Sequence, residues 1–329
     1  MTRARTAVLG AGAWGSALAN VAAAGRDHVA LWGHDPAHMA ELLRDRENRR
    51  YLPGLPLAAA VAPTNDLAAI ADAEIVLGVV PAQAMRDVAR LARPYLRQGA
   101  AFVCCAKGIE RGSHKFMSEV LAEEAPQVEF AVLSGPSFAK DVCKGLPTAV
   151  TLAAGQESLA QELCTQLSTK TFRLYRSTDV RGVEIGGAAK NVLAIACGMA
   201  AGRELGASAQ AALIARGFAE LARLGAAWGA RQETLMGLSG LGDLVLTCGS
   251  DQSRNFALGQ ALGRGESTQE ASHGKLAEGA YTASALADIA RERGVEMPIA
   301  QAVAAILANR LSVEAAVDAL LMRPLRAEA

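Results

Sequence analysis

The chain carries no excess charge of either sign: 33 lysine and arginine side chains stand against 33 aspartates and glutamates. That balance leaves no electrostatic footprint for nucleic acid or an anionic membrane surface. No CxxC pair occurs among Cys104, Cys105, Cys143, Cys164, Cys197 and Cys248. Their mostly apolar surroundings point to reduced core thiols in a cytoplasmic protein, and no metal site is expected. Apolar stretches are broken before a membrane-spanning length, as at Lys190 and Arg203, so no membrane insertion is expected. A secretory leader is not expected, because Thr2 to Thr6 runs straight into the first strand. No internal repeat and no Pro/Ser-rich linker appear. The 329 residues therefore accommodate two ordinary domains, packed tightly with a cleft between them.

What is present begins at Thr6. A short aliphatic run, Thr6 to Leu9, leads into Gly10-Ala11-Gly12-Ala13-Trp14-Gly15, and a helix-compatible stretch, Ser16 to Ala24, follows. Three glycines at this spacing have a mechanism when they lie between a strand and a helix. Gly10 makes the tight turn, Gly12 lets backbone approach a pyrophosphate, and Gly15 lets the helix pack close to the strand. The helix N-terminus then offers free N–H groups to phosphate. This predicts a dinucleotide cofactor, NADH or NADPH. Asp35 lies 20 positions beyond Gly15, near where an acid holds the ribose of NAD. His34, Arg49 and Arg50 are the kind of cationic company a 2′-phosphate favours, which inclines the reading toward NADPH. Asp35-Pro36 can equally cap the next helix.

Candidate strands are Thr6–Leu9, His28–Trp32, Ile75–Val80, Ala101–Cys105, Phe130–Leu133 and Thr148–Ala153. Helical stretches intervene, such as Ala82 to Leu96 and Ser113 to Glu124. The alternation predicts an open parallel sheet covered on both faces, with ligands at the carboxyl ends of its strands. From about Val183 strand-like runs nearly vanish and apolar residues recur at helical spacing. The fold class is therefore α/β. An N-terminal Rossmann-type doubly wound sheet over residues 1–182 precedes an all-α domain over 183–329.

Several segments place polar groups inside apolar or glycine-rich sequence. Lys107 follows an apolar strand and is expected at the cofactor edge. Leu133-Ser134-Gly135-Pro136-Ser137 allows close backbone approach, and Ser137 can donate to a ligand oxygen. Lys190 precedes a long apolar run, where desolvation would lower its pKa and suit it to acid–base work. Asp243 is the only charge in a glycine-rich apolar stretch and needs a donor: Lys190, a substrate hydroxyl or helix N–H groups. Ser253-Arg254-Asn255 joins a forked guanidinium to a hydroxyl and an amide, a combination suited to phosphate.

Taken with their order, GAGAWG (10–15), KGIE (107–110), SGPSFAKDV (134–142), GVEIGGAAKNVLAIA (182–196), GLSGLGDLVLTC (237–248), QSRN (252–255), LAEGAYTA (276–283) and GVEMPI (294–299) span nearly the whole chain. It closely resembles the bacterial NAD(P)-dependent sn-glycerol-3-phosphate dehydrogenases. The resemblance implies reduction of dihydroxyacetone phosphate to sn-glycerol 3-phosphate, feeding glycerophospholipid synthesis. It implies that Lys190 gives or accepts the proton and that Lys107 touches both cofactor and substrate. Gly135, Ser137, Asp243, Ser253, Arg254 and Asn255 would line the substrate. Gly10, Gly12, Gly15, Trp14, His34, Ala139, Arg254, Leu276 and Glu278 would contact the cofactor. Asp141 stands where glutamate is usual, and Cys104-Cys105 replaces small polar residues; neither touches the expected chemistry. A β-hydroxyacid dehydrogenase of similar architecture is the rival enzyme, distinguished by a carboxylate substrate. A non-catalytic NAD(P)-sensing module is the other rival, and it leaves Lys190, Asp243 and Arg254 unexplained. The assembly stays open, a homodimer included.

Overall fold

The computed structural model describes residues 5–272 and 277–322. The first half runs β1 (Thr6–Leu9), α1 (Ala13–Ala23), β2 (Val29–Trp32), α2 (Pro36–Asp45), β3 (Val61–Thr64), β4 (Ile75–Gly78) and α3 (Ala82–Ala92). It continues with β5 (Ala101–Cys104), α4 (Met117–Glu124), β6 (Glu129–Ser134), α5 (Ala139–Cys143), β7 (Thr148–Ala154), α6 (Glu157–Leu167) and β8 (Phe172–Ser177). Among the described residues only helices come after β8. These are α7 (Val180–Gly202), α8 (Gly206–Ala227), α9 (Gln232–Met236), α10 (Asp243–Cys248) and α11 (Arg254–Gly263). The last are α12 (Thr268–Ala271), α13 (Glu278–Glu292), α14 (Pro298–Leu307) and α15 (Val313–Leu321).

Among the described residues one sheet holds every strand, in the order β3-β2-β1-β4-β5-β6-β7-β8. β1, β2, β4 and β5 are buried along their whole length, as continuous aliphatic runs covered on both faces must be. Alternate residues feed two cores. Val8, Leu31, Leu77 and Val103 pack under α1 and α6, whereas Leu9, Trp32, Val76 and Phe102 pack under α3 and α4. The chain moves outward from β1 through β2 to β3, then returns to lay β4 on the other side of β1. That reversal opens a crevice at the carboxyl ends of β1 and β4.

The sheet departs from the expected one at its margins. β1 to β6 are parallel, but β7 is antiparallel to β6, and β8 runs in the direction of β7. β3 and β8 are strands that hydrophobic patterning does not predict. β3 contains Pro63, tolerated because an edge strand leaves one row of N–H positions unpaired. β8 reads Phe-Arg-Leu-Tyr-Arg-Ser and is mostly solvent-facing, as the opposite edge allows. The helix expected from Ser113 starts only at Met117.

α7 is long and apolar enough to cross a membrane by length and composition, despite Lys190, yet 83% of its apolar window is buried inside the protein. It runs against β6 and β7 and is surrounded by α8, α10, α11, α13 and α14. Cys104, Cys105, Cys197 and Cys248 are buried, Cys143 and Cys164 are half-buried, and all six are free thiols.

Candidate active site

The glycine turn after β1 has the geometry its sequence predicts. Gly10 adopts φ +113°, a backbone region that favours glycine, and its N–H donates to Trp32 O at 2.8 Å. A side chain at Gly15 would collide with the Gly10 carbonyl, whereas a Cβ at Gly12 would meet nothing within 4 Å. Gly12 is also the N-cap of α1 and has no side chain to spend on the first helical N–H groups. An open cradle under unspent donors fits a pyrophosphate, so the residues present suit a dinucleotide.

Around this turn the other expected cofactor residues fall in several settings. Trp14 is half-buried, its ring 6.4 Å from that of Phe172. Ala139 opens α5, which packs on α1. His34 is exposed just beyond β2. Of the two readings open for Asp35, the cap is present: its carboxylate accepts from Ala37 N and His38 N at the start of α2. Glu278 begins α13 and turns its carboxylate to the start of α3, accepting from Ala82 N at 2.8 Å. Burial raises its pKa, against the pull of Ala82 N–H and the charges of Arg254, Lys107 and Lys190. Leu276 lies outside the described residues.

The second half of the site gathers two lysines around one carboxylate. Lys107 leaves the end of β5, Gly135 leaves the end of β6 at φ +149°, and Lys190 comes from the middle of α7. Asp243 heads α10, directly after a π-helical turn over Leu238–Gly242. α7 reaches this position because it presents glycine. A Cβ at Gly186 would lie 2.6 Å from Ser239 O, and one at Gly187 would lie 2.9 Å from Ser134 Oγ.

Lys190 Nζ donates to Asp243 Oδ1 and to Thr247 Oγ1, both at 2.8 Å. Lys107 Nζ donates to Asp243 Oδ2 at 2.6 Å and to Gly135 O at 3.1 Å. Lys190 and Asp243 are 7% and 2% exposed, so neither charge is screened by water. Burial lowers the Lys190 pKa to about 8; Asp243 pulls it back up and Lys107 pushes it further down. Burial would raise the Asp243 carboxyl, but the two lysines outweigh it and hold the group below its ordinary value. Each ammonium has three N–H donors and spends two on protein, leaving one for a ligand oxygen.

Thr247 was not among the residues expected here. The signal was available: it lies four positions after Asp243, on the same face of α10. Its own hydroxyl donates to Asp243 O at 2.6 Å, which leaves an oxygen lone pair for Lys190.

The Ser253–Asn255 segment is arranged less simply than a three-donor anion site. Ser253 caps α11, its hydroxyl accepting from Phe256 N. Asn255 points inward, donating to Asn191 Oδ1 at 3.0 Å and accepting from Gly279 N at 2.9 Å. Asn191 in turn donates to Lys107 O at 3.2 Å. This amide chain ties the starts of α11 and α13 to α7 and to the end of β5, and adjacent links polarise one another. Arg254 alone is exposed. Ser137 donates to Gly135 O at 3.0 Å, on the carbonyl that also receives Lys107.

Comparison with known proteins bears on the whole of this architecture. Residues 5–160 match the family described as NAD-dependent glycerol-3-phosphate dehydrogenase N-terminus, and residues 179–318 match its C-terminal counterpart. A glycerol-3-phosphate dehydrogenase [NAD(P)+] from a Bradyrhizobium species is 63% identical over 98% of both chains. The crystal structure of glycerol-3-phosphate dehydrogenase from Coxiella burnetii superposes with a TM-score of 0.93 at 40% identity, covering 98% of this chain and 100% of that one. A yeast glycerol-3-phosphate dehydrogenase structure shares the fold, with a TM-score of 0.82 at 24% identity over 96% of this chain and 99% of its own.

Proposed function

The chain belongs to the NAD-dependent glycerol-3-phosphate dehydrogenase family, and from that premise we propose how its residues divide the work of reducing dihydroxyacetone phosphate to sn-glycerol 3-phosphate. The reaction is reversible, uses NADH or NADPH, and supplies glycerophospholipid synthesis. The carrying observation is the Lys107–Asp243–Lys190 cluster, whose Lys107 follows the carboxyl end of β5 on the same edge of the parallel sheet as the glycine turn after β1.

The glycine turn and the start of α1 would hold the pyrophosphate, with Trp14, His34, Ala139 and Glu278 toward the rest of the dinucleotide. When bound, the reduced nicotinamide supplies the hydride that adds to the ketone carbon. Negative charge then develops on the carbonyl oxygen. The free N–H of Lys190 is directed there and delivers the proton, and Lys107 adds a second positive charge beside the same oxygen. Asp243 and Thr247 fix the Lys190 ammonium and keep it protonated near neutral pH despite its burial. Gly135 and Ser137 shape the floor of the substrate site. Arg254, exposed at the N-terminus of α11, takes the substrate phosphate, and Ser253 and Asn255 set the helix end on which it stands. Holding the phosphate at one end fixes the distance and angle of the ketone at the other. Residues 1–182 chiefly serve the cofactor and also give Lys107, Gly135 and Ser137 to the substrate, and residues 183–329 chiefly serve the proton and the phosphate and also give Glu278 to the cofactor, within a cytoplasmic enzyme.

The test is spectrophotometric. Purified protein with NADH or NADPH should consume the nicotinamide absorbance on addition of dihydroxyacetone phosphate and do so poorly with dihydroxyacetone. Arg254→Ala should lower kcat/KM for the phosphorylated ketone by roughly ten- to a hundredfold while barely changing the residual rate on dihydroxyacetone. Equal loss on both ketones would assign Arg254 to the cofactor or the fold. Turnover of a β-hydroxyacid in place of the phosphorylated ketone would overturn the substrate assignment.

A further inference from the structure

The ribose end of the dinucleotide crevice holds an ion cluster that the chemistry above does not use. β2 ends at Trp32, and three residues later Asp35 occupies the place where an acid commonly accepts from a ribose 2′-hydroxyl. Here Oδ1 of Asp35 accepts from Ala37 N at 3.0 Å and His38 N at 3.2 Å, and Oδ2 accepts from Arg50 Nη1 at 3.0 Å. Arg50 also grips Glu41 with both edges of its fork, through Nε at 2.8 Å and Nη2 at 2.6 Å.

The loop that carries Arg50 is bolted to the pyrophosphate turn on both sides. Asn48 donates to Ala11 O at 3.0 Å and to Ser16 Oγ at 2.7 Å. The Tyr51 ring meets His38 edge-on at 5.4 Å, and His38 Nε2 lies 3.3 Å from Ala11 O. The guanidinium is therefore held at a set place relative to any dinucleotide seated on Gly12.

We propose that Arg50 is the residue through which this enzyme recognises the 2′-phosphate of NADPH. It exchanges its bonds to Asp35 and Glu41 for the phosphate, whereas with NADH it stays on the carboxylates and Asp35 offers its spare lone pair to the 2′-hydroxyl. The inference rests on the glycine turn being the dinucleotide site. Arg50, Asp35 and Glu41 are 41%, 38% and 39% exposed, so their ion pairs are screened and weak. A bidentate guanidinium–phosphate contact is among the stronger charge-assisted pairs, so the exchange is favourable. Asp35 is not stranded when Arg50 leaves. Two helix N–H groups and the positive end of α2 still neutralise it. The neighbouring Arg49 does not share this place; it pairs with Asp45 at 3.5 Å and Glu47 at 3.6 Å.

Equilibrium binding of NADPH, NADH and adenosine 2′,5′-bisphosphate, followed by tryptophan fluorescence or calorimetry, tests this without turnover. Arg50→Gln should lower the NADPH:NADH affinity ratio by about tenfold or more, and Arg50→Lys should restore part of it. Asp35→Asn should raise the ratio, because it removes one of the two carboxylates that hold Arg50 and a negative charge that repels the phosphate. Arg49→Gln should shift the ratio by no more than about twofold, as expected for a screened surface charge. An unchanged ratio in Arg50→Gln, or an equal fall in Arg49→Gln, overturns the assignment. Wild-type protein that bound none of the three probes would instead strike the dinucleotide site itself, and this inference with it.

Discussion

Burial alone drives the Lys190 ammonium toward its neutral form, and Asp243 and Lys107 then pull in opposite directions, leaving its pKa at about 8. A proton donor with that value is charged at neutral pH and can still release its proton within a catalytic cycle. With Lys190 as the proposed proton donor, ketone reduction needs the protonated lysine, so kcat/KM for dihydroxyacetone phosphate should fall as pH rises through about 8. Oxidation of glycerol 3-phosphate needs the neutral amine, so its kcat/KM should rise through the same pH. Lys190→Ala should abolish turnover while NADPH still binds, since the lysine lies away from the glycine turn. Lys190→Arg keeps the charge but cannot release the proton, and should be as inactive. Pre-steady-state and pH-rate measurements would decide the matter. A limb near pH 8 persisting in Lys190→Arg would transfer the role to another group. At this scale the sequence was highly legible, because a lysine or aspartate within an apolar run needs a partner. Asp243 was expected to bond Lys190, a substrate hydroxyl or helix N–H groups, and the structure supplies Lys190 and Lys107 together. Less legible were side chains whose direction depends on distant elements. Asn255 turns inward because Asn191 and Gly279 offer it partners from α7 and α13, which no local pattern reports.

Elements matter here through how closely they approach. α7 carries Lys190 to Asp243 only because Gly186 lets it lie against the π-helical turn before α10. Such a turn widens the helix locally and re-aims the next segment of chain, and these turns recur at functional sites. Gly186→Ala would press a methyl group to 2.6 Å from Ser239 O, which is backbone and cannot step aside as a side chain would. The expected outcome is a loss of about 1–3 kcal/mol in stability together with reduced kcat, because the shifted turn carries Asp243 away from Lys190. Denaturant melts and steady-state kinetics on the same preparation would check it, with NADPH binding retained as a control. A variant as stable and as active as wild type would mean that the approach is slack. The glycine fingerprint and the central strands could be read directly, because each has a local sequence cause. β3 and β8 could not, since edge strands need neither continuous apolar residues nor freedom from proline. The reversal at β7 was also hidden, because strand direction depends on connections and not on composition.

Across the whole molecule, the sheet and the helices are joined at a carboxylate that the catalytic chemistry leaves unused. Glu184, on α7, accepts from Ser118 N and Ser118 Oγ, both at 2.8 Å, in the first turn of α4. Arg181 lies 3.7 Å away but also serves Glu119 and covers the Phe116 ring. Burial pushes the Glu184 carboxyl up to about 7, against the lowering effect of Ser118 and Arg181. Between its ordinary value of 4.5 and about 7, the folded protein keeps a proton that the unfolded chain has lost. Folding stability must then fall as pH rises through that window, and the full penalty stands above it. The penalty is on the order of 3 kcal/mol, since holding a proton against each tenfold drop in its concentration costs about 1.36 kcal/mol. Glu184→Gln keeps an oxygen for Ser118 but has no proton to lose. It should therefore match wild type near pH 5, exceed it in stability at pH 8, and flatten the slope between. Urea unfolding at four pH values across this range would measure both curves. A variant less stable than wild type at pH 8 would show that the charged carboxylate is the form the junction needs. In that case the two domains are held by an ion pair with Arg181 and not by a neutral hydrogen-bonded acid.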